Sequence, residues 1–148
     1  MDIIPGRYSM TYLQWMCQRA NQSNYNMHLL FDQLKEMKDR IVRFNSLLYN
    51  SEARLDADFV EEKKQDLKPF INGVDRLKKE IEIYDDAYNY LQGFDHEADK
   101  RIISASTRIF CQAPLSDILT FLTEATIAYV AAIVKLESKK EERESLEQ

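Results

Sequence analysis

Only three glycines, three prolines, two cysteines and two histidines occur among the 148 residues, and each scarcity removes a class of protein. So few Gly and Pro leave too few tight turns for an all-β sandwich or barrel. They also leave no glycine-rich loop of the kind that cradles phosphates in nucleotide-binding α/β folds. Two distant cysteines cannot staple a disulfide scaffold and lack the spacing of a structural zinc site. Cys17, Cys111, His28 and His96 are the whole thiol and imidazole supply. No two of them stand three or four residues apart, the interval that puts two ligands on one helical face.

The residues three before the histidines are Tyr25 and Gly93, so the Glu-x-x-His pattern of di-iron bundles is missing. His28 with Asp32 reads as a surface i,i+4 pair. A cysteine nucleophile needs a histidine nearby and a depressed pKa, which nothing local supplies, and no Gly-x-Ser-x-Gly elbow occurs. The neighbouring acids Asp85–Asp86, Glu61–Glu62 and Glu141–Glu142 point about 100° apart on a helix, too far to share a proton. The expectation is a non-enzymatic protein with no catalytic residue, no metal and no cofactor.

Positive charge is not in excess either. The net charge is −5 and the isoelectric point about 5.1, where a general nucleic-acid binder would carry a basic field. Lys35, Lys38, Arg40 and Arg43 are interleaved with Asp32, Glu36 and Asp39, as on a coiled-coil flank. Residues 1–20 lack a basic start followed by an unbroken apolar stretch, so no secretory signal is expected, and the location read from this is intracellular, cytoplasmic or nuclear. Residues 115–136 come nearest to a membrane span. Asp117, Glu124 and Lys135 interrupt them, and a buried bundle helix is the preferred reading.

What the chain does have is helical periodicity. From Leu13 the apolar positions alternate three and four apart through Met16, Ala20, Ser23, Met27, Leu30, Leu34, Met37, Ile41, Phe44 and Leu48, the a/d repeat of a coiled-coil seam. Ser9 is a candidate N-cap. Asn21–Asn26 is a weak helix former where a kink or break is an open question. Residues 49–66 are polar and read as an exposed helix or linker. The heptad returns at Leu67, Phe70, Val74, Leu77, Ile81, Tyr84, Tyr88 and Leu91. Pro69 fits only a first turn, so this helix is expected to begin near Leu67 or Lys68. Gly73 either permits a close helix approach or marks a later start, and Gly93 sits where a C-cap belongs.

Asp95 can cap a third helix running to about Gln112, with Ala98, Ile102, Ala105 and Ile109 as its stripe, ended by Pro114. A fourth helix, capped by Ser116, is apolar nearly all round and is expected to be the central, buried one. The fold class read from these patterns is all-α, an elongated antiparallel helical bundle or coiled coil of about four helices with a long first helix. Residues 1–9 form an irregular lead-in, 10–136 one helical domain, and 137–148 a charged tail.

Function follows from the seam. The stripe Met27, Leu30, Leu34, Met37, Ile41, Phe44 and Leu48 is narrow, as for a helix with one or two partner helices. It is the expected interface of a protein-interaction module, an adaptor or structural subunit whose partner is a protein or a second copy. A membrane-associated protein using residues 115–136 is the competing class. Tyr12, Tyr25, Tyr90 and Phe94 fall outside the seams, where they either build an interface or are buried by a wider bundle. Ile3, Ile4 and Tyr8 in the lead-in are expected to staple the first turn near Tyr12 and Leu13, the alternative being a docking peptide.

Overall fold

The α1 helix starts at a reciprocal cap. Thr11 Oγ1 accepts the Gln14 N–H at 3.2 Å, and the Gln14 side-chain oxygen accepts the Thr11 N–H at 3.2 Å, the Thr-x-x-Gln capping box. From there the computed structural model, which describes residues 11–107 and 115–141, runs through four α-helices. They are α1 Tyr12–Asn50, α2 Ala57–Gln92, α3 Glu97–Ser106 and α4 Leu115–Lys139. No strand occurs among the described residues, and the fold is an all-α helical bundle. The lead-in with Ser9, together with Ile109, Cys111, Pro114 and the tail beyond Glu141, lies outside the described residues.

Two compact units divide the chain. The first draws on Met1–Phe31 and Arg76–Pro114. In it α1 and α2 run antiparallel, with Tyr12 stacked edge-on to Tyr90 at 5.2 Å and Ser23 Oγ donating to the Glu80 carbonyl at 2.6 Å. Asn21–Asn26 does not break the helix, because its polar side chains find partners across it. Asn21 Nδ2 donates to the Ser106 carbonyl at 2.5 Å, and Asn26 Nδ2 to Glu80 Oε1 at 3.2 Å. Ser23 and Asn24 are buried, and no buried side-chain polar atom among the described residues lacks a partner. Tyr12, Tyr90 and Phe94 form one aromatic cluster with Trp15, so these positions pack on one another, while Tyr25 stands exposed.

The third helix differs from expectation. Its cap is His96, whose Nδ1 accepts the Ala98 N–H at 3.3 Å, and it closes at Thr107 after ten residues. Ala98, Ile102 and Ala105 are exposed, and the half-buried positions are Asp99, Ile103 and Ser106. The Ser106 carbonyl accepts from Asn21, and that contact points the opposite side of α3 toward α1.

The second unit draws on Asp32–Asp75 and Leu115–Gln148. Here α2 begins at Ala57, ten residues before the expected start, capped by Asp56, whose carboxylate accepts the Asp58 N–H at 2.7 Å. Residues 51–56 alone form the connection, and Pro69 sits inside the helix. An internal proline costs about 3 kcal/mol through a lost hydrogen bond and a ring clash. Burial of Val60, Leu67, Phe70 and Val74 on both sides of it offsets that, at roughly 1.5–3 kcal/mol for each large apolar side chain. Gly73 is a close approach: a Cβ there would stand 2.7 Å from Leu34 Cδ2.

Candidate interaction surface

The expected seam lies inside the chain's own bundle. Met27 and Leu30 in the first unit, and Leu34, Ile41 and Leu48 in the second, are all buried. Met37 and Phe44 are half-buried and border a shallow cleft of about 380 Å³ with Leu67 and Phe70 of α2. The heptad was visible in the sequence. That α2 itself would cover it was not, because residues 57–66 carry too few apolar groups to be recognised as part of the same helix.

Exposed apolar surface is found on α4. This helix runs parallel to α1: Lys38 pairs with Glu124 at 2.6 Å, and Lys135 lies 4.6 Å from the centre of the Tyr49 ring. On its other flank Glu137 pairs with Lys64 of α2 at 2.6 Å. The hydrogen bonds from Lys64 hold the Glu137 carboxyl below the usual carboxylate range and push the Lys64 amine up. At its C-terminal end α4 is tied to the α1–α2 connection, where Leu55 N–H donates to the Lys139 carbonyl at 2.6 Å and Glu141 N–H to the Leu55 carbonyl at 2.7 Å. The Lys139 ammonium also donates to the Ser51 carbonyl.

These contacts anchor one side of α4 and leave the other bare. Ile118, Phe121, Leu122, Ala125, Ala128, Ala132 and Leu136 are buried. Leu119, Thr123, Ile127, Val130 and Val134, spaced four, four, three and four apart, are exposed, with Ile127 at 63% and Val134 at 61%. The expectation of a central, fully buried helix is corrected here, since α4 is covered on one side only. Glu124 is the one charged residue between Leu119 and Val134, and it pairs with Lys38 at the edge of this side with its own side chain 54% exposed. The stripe from Leu119 to Val134 itself carries no charge. Two of its hydroxyls are satisfied within the helix, Thr126 Oγ1 donating to the Leu122 carbonyl at 2.9 Å and Thr123 Oγ1 to the Leu119 carbonyl at 3.4 Å. Water can leave these two without stranding a donor.

Beside this face a groove of about 520 Å³ separates α4 from α1, walled by Val42, Tyr49 and Ile127 with Ala128 and Ala131 between them, and edged by Lys38, Glu124 and the polar Asn45, Ser46 and Asn50. Small side chains let another backbone come close. A polar cleft of about 610 Å³ in the first unit, bordered by Trp15, Arg19, Asn26 and Glu80, is of another kind. Its polar groups are engaged with one another, through Asn26 to Glu80 and Arg19 over the Trp15 ring.

Among the described residues no three of His, Cys, Asp or Glu stand close enough to hold a metal ion. Cys17 is fully buried, and burial pushes its thiol up from the ordinary value. No protein-family model, curated protein or solved structure matches the chain, so its function is argued from its own residues.

Proposed function

We propose that the chain is a non-enzymatic interaction module, an adaptor or structural subunit whose working surface is the outward face of α4 with the adjoining groove of α1. The observation that carries this reading is the charge-free, internally satisfied stripe Leu119–Thr123–Ile127–Val130–Val134. Contiguous exposed apolar surface on a folded domain marks a contact site, and a groove floored by alanines suits an incoming helix with apolar anchors. Of the seam read from the sequence, Met27, Leu30, Leu34, Ile41 and Leu48 are buried against the chain itself, and Met37 and Phe44 stay half-buried.

Affinity enrichment followed by mass spectrometry tests the reading, with wild type and an Ile127→Lys/Val134→Lys variant compared side by side. The expected result is a set of proteins, or additional copies of the chain, retained by wild type and lost from the variant. Equal retention by both would remove this face from consideration.

A membrane-associated role is the second reading, favoured by one observation. Over its best 18-residue window α4 has a mean hydropathy of 1.6 with 28% of that window buried, so by length and composition it could cross a bilayer. Flotation of the folded protein with neutral phosphatidylcholine vesicles separates the two, because the interaction reading expects none.

A further inference from the structure

We infer that the occupant of the α1/α4 face is a second copy of this chain, docked antiparallel about a two-fold axis level with Tyr129 and Val130. This inference rests on the interaction reading above and names its partner. Charge placement along the groove carries it. Lys38 faces Glu124, and Tyr49 faces Lys135, across the groove at the same offset of 86 residues (124 − 38 and 135 − 49). The two contacts are eleven residues apart, about 16 Å at 1.5 Å per residue.

A two-fold axis perpendicular to the helices sets each residue level with one whose number completes a constant sum, the isologous pairing of a symmetric dimer. Placing Glu124 level with Lys135 of the second copy makes that sum 259 on α4. The shared offset then makes it 87 on α1, which sets Lys38 level with Tyr49 of the second copy without further adjustment. One operation therefore satisfies both ends of the groove. Glu124 gains a second cation. Lys135, which makes no ion pair among the described residues, gains a carboxylate, and Lys38 gains a ring face, a contact it already makes with Phe121 at 5.6 Å. By the same sum Ala128 is level with Ala131 of the second copy, two small side chains that let the helices approach.

The size of the face sets the strength. Leu119 to Val134 spans about 24 Å, and two helices about 10 Å apart give a footprint of roughly 480 Å² per copy. Standard interfaces bury about 800 Å² per partner. The dimer is accordingly a weak one.

Sedimentation velocity of the purified full chain, reduced and run from about 5 to 500 µM, tests this. Wild type is expected to pass from monomer to dimer, and Ile127→Lys to stay monomeric at every concentration with an unchanged circular dichroism spectrum. Glu124→Lys alone should weaken association roughly tenfold or more. The combined reversal Lys38→Glu/Glu124→Lys/Lys135→Glu keeps both ion pairs but gives up the lysine contacts with the Tyr49 and Phe121 rings, and should recover part of the association lost in Glu124→Lys. A wild type that stays monomeric throughout, or dimerises regardless of Ile127→Lys, or a combined reversal no better than Glu124→Lys, overturns the inference. Monomeric wild type with Ile127-dependent enrichment of another protein would leave the interaction reading standing and remove only the second copy. Ile127-dependent flotation on phosphatidylcholine vesicles would remove both.

Discussion

Ser23 and Cys17 show how single residues are used in this bundle. Ser23 occupies a seam position that apolar side chains otherwise fill. It is buried there because its hydroxyl donates to the Glu80 carbonyl at 2.6 Å. That carbonyl already lies in a helix, so removing the hydroxyl strands no donor, and Ser23→Ala is expected to lower stability by only about 0.5–1.5 kcal/mol. Urea unfolding followed by circular dichroism measures it, and a loss above 3 kcal/mol would mean the hydroxyl does more than this bond. Cys17 is inaccessible and its thiol is held protonated by burial. In a Cys111→Ser background it should resist a disulfide reagent at pH 8 until the protein unfolds. Immediate labelling of the folded protein would contradict that burial. The periodicity marked Ser23 as a seam position and left Cys17 beside the seam, and the sequence held no sign that Glu80 would meet Ser23, a contact between residues 57 apart.

At the scale of elements, legibility followed amphipathicity. Both long seams were readable, since each alternates three and four over several turns. The start of α2 was not, because Pro69 is a strong local signal and lost to tertiary packing that no local rule contains. Pro69→Ala returns an N–H to the helix ladder opposite the Gln65 carbonyl. It should raise the urea midpoint, by an amount equivalent to about 1–3 kcal/mol. A lower midpoint would show that the surroundings are fitted to the ring.

Gly73 makes the opposite case. Alanine is the better helix former by about 1 kcal/mol, yet its Cβ would stand 2.7 Å from the buried Leu34. Gly73→Ala is therefore expected to destabilise by about 1–3 kcal/mol through overpacking, and less so when Leu34→Ala is already present. The reading of α3 and α4 failed for a different reason. Ala98, Ile102 and Ala105 form a stripe too short to decide which side packs. A helix apolar all round carries no information about which side its neighbours leave bare.

For the whole molecule, the bundle class was legible and the exposed face of α4 was not, because that face is defined by what fails to cover α4. The Lys64–Glu137 pair joins α2 to α4, and its pH dependence follows from the two shifts. Glu137 is held below its ordinary value of 4.5, so its contribution is present above that value and fades as pH falls through the lowered one. Lys64 is raised above its ordinary 10.5, so its contribution is present below that value and fades as pH rises through the raised one. The pair acts across the neutral range. Glu137→Gln should therefore narrow the difference between melting at pH 7 and at pH 3, by a small amount for so exposed a pair.

In the proposed dimer the outward face of α4 is covered by a second copy of the chain. The dependence of melting temperature on protein concentration tests it most directly. A ligand that binds only the folded state stabilises it by mass action, and at this chain length 1 kcal/mol corresponds to about 3 °C. The account predicts that the wild-type melting temperature climbs by a few degrees between about 5 and 500 µM. Ile127→Lys should stay flat and meet the wild-type curve at the dilute end. A flat wild-type curve would contradict the account, as would a variant that melts well below wild type in dilute solution.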